Sequence, residues 1–143
     1  MIIKSEQEMI DYGKAFAKKV LTNLKNTNSP VVIELIGDVG TGKTTFTRGL
    51  AIGLGVKSPI TSPSFTISKS YALPNKHTLI HYDFYRLNDP GIMQAELEES
   101  MMEKGNIIVI EWADSIANIL PENRIKINLS YNENEGRKIE IES

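Results

Sequence analysis

The sequence contains no cysteine, one tryptophan and two histidines in 143 residues. Without cysteine there is no disulfide framework, no thiolate zinc site and no thiol nucleophile, and two histidines do not make a metal cluster. Long apolar runs are missing too. Val31-Val32-Ile33 and Ile107 to Ile110 are among the longest, far below the ~20 residues of a membrane span. A basic surplus is also absent, with 16 Lys+Arg against 18 Asp+Glu and a formal net charge of −2. Autonomous tight binding of nucleic acid usually rests on such a surplus, so any nucleic-acid role is expected to run through a partner. The amino terminus, Met1-Ile2-Ile3-Lys4-Ser5-Glu6, has neither the apolar stretch nor the small-residue cleavage site of a secretory signal, and a cytoplasmic location is expected. The length suits one domain, residues 1–143, around one core.

Periodicity gives the order of elements. Ser5-Glu6-Gln7-Glu8 has the form of a capping box, and Met9, Phe16, Val20 and Leu24 follow near helical spacing, so residues ~6 to 25 read as an amphipathic helix. Val31 to Ile36 are mostly β-branched and apolar, as in a strand covered on both faces. A glycine-rich turn comes next, then a helix with Phe46, Leu50 and Leu54 on one face, stopped near Gly53 and Gly55. Ser64 to Ser70 and Leu79 to Tyr85 read as strands about a turn at Leu73-Pro74-Asn75-Lys76. Asp89-Pro90 suits a helix start, Met93, Leu97 and Met101 form its apolar stripe, and Lys104-Gly105 suits its end. Ile107 to Ile110 is another buried strand, and the tail from Ile125 to Ile141 reads as an antiparallel hairpin. The expected fold is α/β, a P-loop-type three-layer sandwich with a mainly parallel sheet and antiparallel strands at the carboxyl end.

Gly37-Asp38-Val39-Gly40-Thr41-Gly42-Lys43-Thr44 matches G-x-x-x-x-G-K-S/T in full, between a buried strand and a helix. Glycines allow backbone amides to converge on phosphate oxygens, Lys43 offers a mobile cation that faces ligand and not core, and the Thr44 hydroxyl suits Mg²⁺. Such a loop needs a carboxylate at the end of another strand. Glu111 follows Ile107 to Ile110 and Asp83 follows Leu79 to Tyr82, so both are expected at the carboxyl edge of the sheet, where ligands gather. Either acid alone is also compatible with a solvated strand end or a salt bridge to Arg86. Ser62, Ser64 and Thr66 lie in a hydroxyl-rich segment that suits either a γ-phosphate-sensing loop or ordinary turn chemistry. Trp112 is placed to pack near nucleotide or face a partner, and simple burial is its plainest reading. His81 reads as a core or rim histidine and Arg48 as a solvated helix residue.

Several nucleotide-binding classes share this pattern. Asn75-Lys76-His77-Thr78 imitates a guanine-reading N-K-x-D signature but has Thr where the base-binding acid belongs, which discounts a GTPase. A small-molecule kinase commonly adds an arginine-bearing lid, whereas Arg48, Arg86, Arg124 and Arg137 are unclustered here. A nucleotide-gated adaptor with little catalysis is compatible with every residue so far.

Gly37 to Gly49, Ser62-Pro63-Ser64-Phe65-Thr66, His81-Tyr82-Asp83-Phe84-Tyr85-Arg86-Leu87 and Ile110-Glu111-Trp112 together resemble the bacterial TsaE (YjeE) family in order and spacing along most of the chain. The resemblance implies a Mg²⁺-dependent ATPase, weak alone, that supports formation of threonylcarbamoyladenosine (t6A) next to the anticodon of ANN-decoding tRNAs. It implies TsaB and TsaD as partners, tRNA contact only through them, and no membrane. Carried onto this sequence, the family's phosphate loop falls on Asp38, Val39, Gly40, Thr41, Gly42, Lys43, Thr44 and Thr45. Its metal contacts fall on Thr44 and Glu111, with Asp83 as second acid, and its catalytic set on Lys43, Asp83 and Glu111. Arg137 matches a tail position near the nucleotide, and Ser5 or Glu6 a segment near adenine. The chain departs from the family between Asp89 and Gly105, where Ile92 to Met102 are Met-rich.

Overall fold

The fold begins with a capped helix. In the computed structural model, which describes residues 1–60, 68–85, 91–133 and 136–142, α1 spans Glu6–Asn26 and Ser5 Oγ accepts the Glu8 amide at 3.1 Å. The Glu8 carboxylate turns back to accept the amide of Lys4 rather than of Ser5, a one-residue variant of the reciprocal cap. The seven strands are β1 Ile2–Ile3, β2 Val31–Ile36, β3 Ser68–Ala72, β4 Thr78–Asp83, β5 Asn106–Glu111, β6 Ile125–Tyr131 and β7 Arg137–Glu142. They form one sheet in the order β1-β7-β6-β2-β5-β4-β3. β2 pairs in parallel with β5 and β6, and β4 with β5, whereas β1–β7, β6–β7 and β3–β4 are antiparallel.

Helices cover both faces, so the central strands alternate between two apolar clusters instead of between core and water. Ile33 and Leu35 of β2, Leu79 of β4 and Ile107 and Val109 of β5 meet α1 and α2 (Lys43–Leu54). Val32, Ile80, Tyr82, Ile108 and Ile110 point the other way, onto Leu97 of α3 (Gly91–Ser100) and onto Ala113 and Ile116 of a 3₁₀ helix at Ala113–Ile119. This is a three-layer α/β sandwich. Among the described residues no helix is long and apolar enough to cross a membrane.

Several boundaries differ from expectation for local reasons. α3 ends at Ser100, not at Lys104-Gly105, because the Asn106 side chain takes the Ser100 carbonyl at 2.9 Å and residues 101–105 form turns. β4 stops at Asp83 rather than Tyr85: after the Phe84 amide donates to the Glu111 carbonyl, the Asp83 carboxylate reaches forward to accept the Tyr85 amide and ends the ladder. β3 runs on to Ala72 because its partner in register is Thr78, just past the turn. The expected strand residues 64–67 and the Asp89-Pro90 helix start lie outside the described residues. Neither β1 nor the 3₁₀ helix was expected, since two residues are too short for periodicity and the stripe Ala113, Ile116 and Ile119 is confined to one short segment.

Candidate functional site

The parallel strands bring the chemistry to one edge. β2 ends at Ile36 and the chain passes through Gly37 to Gly42 into α2. Gly40 and Gly42 adopt φ +83° and +105°, conformations that a side chain disfavours. No side chain caps α2, so its first amides are left for a ligand. Thr44 and Thr45 sit half-buried on the first turn. Thr41 is buried and its hydroxyl donates to the Asp38 carbonyl at 2.8 Å, which fastens the loop internally, while Asp38 and Val39 are exposed.

Lys43 departs from the expected free cation. It is only 6% exposed, with Nζ donating to the Gly37 carbonyl at 2.5 Å and lying 3.8 Å from the centroid of the Trp112 ring. Burial lowers its pKa, against the opposing pull of Glu111, Asp83 and Asp38. Lys43 is thus held by a carbonyl of its own loop and by an aromatic face. Trp112 is half-buried in the left-handed region, φ 56°, and its ring meets Tyr85 at 4.7 Å.

Asp83 and Glu111 are direct neighbours in the parallel β4–β5 register. They share the sheet face that Leu79, Ile107 and Val109 present to α2, because side chains two residues apart on a strand point the same way. Glu111 is 3% exposed and its Oε2 meets His81 Nε2 at 2.5 Å. Asp83 is half-buried, and its Oδ1 accepts the Tyr85 amide at 2.9 Å. Its pKa is raised, first by burial and then by Glu111, against the lowering effects of the Tyr85 amide, His81 and Lys43. A carboxyl whose folded pKa is raised loses stability as pH climbs from the ordinary carboxylate range through the raised value, since the unfolded chain ionises first. Asp83→Asn is therefore expected to raise the unfolding midpoint at neutral pH, with the gain shrinking once pH falls below about 4. Thermal unfolding across that range checks it, and an undiminished gain in acid would contradict it.

These groups open onto two adjoining hollows. One, of about 330 Å³, is lined by Val39, Lys43, Thr44, Asp83, Glu111 and Trp112. The other, of about 400 Å³, lies among Lys4, Ser5, Glu6, Met9 and Arg137. Gly40, Gly42 and Thr45 line both. The first presents hydroxyl and carboxylate oxygens, the donors a hard ion such as Mg²⁺ takes. Among the described residues no three His, Cys, Asp or Glu side chains are grouped to hold a metal by themselves.

The carboxyl-terminal hairpin braces the loop. Tyr131 Oη donates to the Val39 carbonyl at 2.8 Å, Arg137 Nε donates to the Gly40 carbonyl at 3.2 Å, and the guanidinium lies 4.5 Å from the Tyr131 ring centroid. Sequence reasoning missed Tyr131. Its only signal is its outward place in the hairpin alternation. Arg48, expected to be solvated, pairs with Glu6 at 3.1 Å because α1 and α2 lie side by side. Ser62, Ser64, Thr66 and Arg86 lie outside the described residues.

Comparison with known proteins points one way. The profile of a family described as threonylcarbamoyl adenosine biosynthesis protein TsaE matches residues 3–139. The chain is 35% identical over 139 residues to the tRNA threonylcarbamoyladenosine biosynthesis protein TsaE of Haemophilus influenzae, covering 97% of this chain and 85% of that one. It is 36% identical over 142 residues to the protein of the same name from Rickettsia bellii, covering 98% and 92%. The crystal structure of Bacillus subtilis YdiB superposes with a TM-score of 0.66 at 32% identity, over 97% of this chain and 84% of that one.

Proposed function

Because this chain belongs to the TsaE family, we propose that it is the ATP-binding and ATP-hydrolysing subunit of tRNA threonylcarbamoyladenosine biosynthesis, acting on a complex of TsaB and TsaD. The observation that carries the reading is the convergence of a full phosphate loop, Lys43 and two strand-end acids, Asp83 and Glu111, on one hollow. Lys43 leaves the Gly37 carbonyl and the Trp112 ring for the β and γ phosphates, and the loop amides hold the remaining oxygens. Thr44 and one of the two acids, Glu111 or Asp83, are the residues that would hold Mg²⁺, which when bound supplies neutralisation of phosphate charge. The acid not engaged in that role orients the attacking water. The hollow beside Ser5, Glu6 and Arg137 accepts the rest of the nucleotide.

Among the described residues Lys43 is the one cation that lines the hollow of the strand-end acids, with Lys4 and Arg137 in the adjoining lobe. Phosphoryl chemistry without further charge stabilisation is slow, so turnover by the isolated chain is expected to be feeble. TsaB and TsaD complete the site or receive its ATP-bound shape, with Ser62, Ser64 and Thr66 as the proposed sensing segment. tRNA is met indirectly, since the chain carries no basic surplus, and the cytoplasm is the proposed location.

Trp112 supplies a direct test. Withdrawal of Lys43 from its ring on phosphate binding is expected to change its fluorescence in a saturable way, with Mg²⁺ altering the response. A full reconstitution adds TsaB, TsaD and tRNA and measures t6A formed with ATP present. Silent fluorescence at saturating ATP, together with unchanged t6A formation when this protein is left out, would overturn the reading.

A further inference from the structure

The sheet buries one polar ring whose work no apolar neighbour explains. His81 is 0% exposed, in the middle of β4, between Lys69 of β3 and Val109 of β5 in register. A histidine there costs the desolvation of two ring nitrogens unless both are satisfied. Only one is: Nε2 meets Glu111 Oε2, whereas Nδ1 has no hydrogen-bond partner among the described residues. An ionised carboxylate only accepts, so the shared proton sits on Nε2 and the ring donates to Glu111. His81, Asp83 and Glu111 also lie on one face, two residues apart along β4 and side by side across to β5.

From this we infer that His81 is a positioning residue for Glu111. Its Nε2–H occupies one carboxylate oxygen and fixes the side-chain rotamer, so that the other oxygen is aimed into the hollow shared by Lys43, Thr44 and Asp83. Glu111 is the last residue of β5, and the next, Trp112, is left-handed. Strand pairing therefore fixes the Glu111 backbone but not the direction of its carboxylate, and the imidazole from the neighbouring strand supplies that constraint. The inference rests on the reading of Glu111 as an acid of a Mg²⁺·ATP site. It does not require that His81 touch nucleotide or metal.

Two amides separate positioning from mere packing. Gln places its Nε2 about where the imidazole Nε2 lies, whereas Asn ends about where Nδ1 lies and does not reach Glu111. Both carry the same polar group into the sheet. In calorimetric titrations of the full chain, His81→Asn is expected to raise the magnesium concentration needed for half-maximal tightening of ATP binding by about tenfold, the scale of lost outer-shell support. His81→Gln is expected to stay within about threefold of the parent. ATP affinity in EDTA should be the same for all three, and in a Glu111→Gln background His81→Asn should add nothing.

Equal effects of Asn and Gln, or a full effect of Asn in the Glu111→Gln background, would overturn the inference while leaving the functional reading intact. Absence of any magnesium-dependent ATP binding by the parent protein would instead overturn the functional reading and this inference with it. A measurement on the parent covers the case in which His81→Asn does not fold. With His77 as the only other histidine, the imidazole ¹⁵N spectrum is expected to show His81 with a proton on Nε2. A bare Nε2 would overturn the inference.

Discussion

Replacing Lys43 with methionine is expected to weaken ATP binding by about a hundredfold or more, the scale of losing a charged donor to phosphate in a partly dry site, without lowering the unfolding midpoint. The two halves of that result come from the same placement. Lys43 Nζ is held against a carbonyl and an aromatic face, and burial lowers its pKa despite three nearby carboxylates. A lysine whose folded pKa is lowered carries a cost below that pKa, which is relieved as pH rises toward the unfolded value. At neutral pH the charged lysine is thus a burden on the unliganded fold, and an apolar side chain of similar length removes it. Calorimetry with ATP and a thermal scan check both halves. Unchanged ATP affinity would remove Lys43 from the phosphate site, and a sharp fall in midpoint would make it a structural residue.

A second large effect is expected far from any phosphate. Gly49→Val should lower the unfolding midpoint by roughly 10 °C, from about 3 kcal/mol of overpacking at about 2–4 °C per kcal/mol for a chain of this size. α1 and α2 touch along small residues: a Cβ on Gly13 would lie 2.6 Å from the Phe46 carbonyl oxygen, and one on Gly53 2.6 Å from the Ala17 Cβ. At Gly49 the Cβ would collide with the Ile10 carbonyl oxygen and stand 2.8 Å from the Ile10 Cα. Backbone atoms have no rotamer to change, so the helix itself must shift. α1 also carries Met9 at the hollow proposed for the nucleotide, so ATP affinity should fall with stability. A midpoint within a degree of the parent would show that the two helices separate at little cost.

Much of this architecture is legible in the sequence because it repeats. The stripe Met9, Phe16, Val20 and Leu24 foretells the buried face of α1, and all four are buried. The apolar runs before Asp83 and Glu111 foretell β4 and β5, and with them the edge where both acids emerge. What the sequence hides is pairwise. Nothing about His81 alone reveals that its partner is Glu111 thirty residues on, because the pairing exists only once β4 and β5 lie side by side. Glu34 is similar: it interrupts an apolar strand and pairs with Arg124 at 2.8 Å, an ion pair that neither residue announces. Lys43 is hidden for another reason. A motif states where the lysine goes when phosphate is bound, and its resting place depends on Trp112, whose ring is aimed by one left-handed residue.

The bracing of the phosphate loop has a consequence for the order in which the molecule acquires its parts. The loop's sequence ends at Thr44, yet Gly37 packs against the backbone of Leu129, Val39 is tied to Tyr131 and Gly40 to Arg137. β2 gains β6 through pairs such as Ile33 with Ile125, contacts distant along the chain and so slow to form, while the β6–β7 hairpin needs only its own turn. During synthesis the motif leaves the ribosome long before the strand that shapes it. A nascent chain that stops before β6 carries every residue of the phosphate-loop signature and lacks the strands that brace it, so the loop takes its shape only after β6 and β7 have been added.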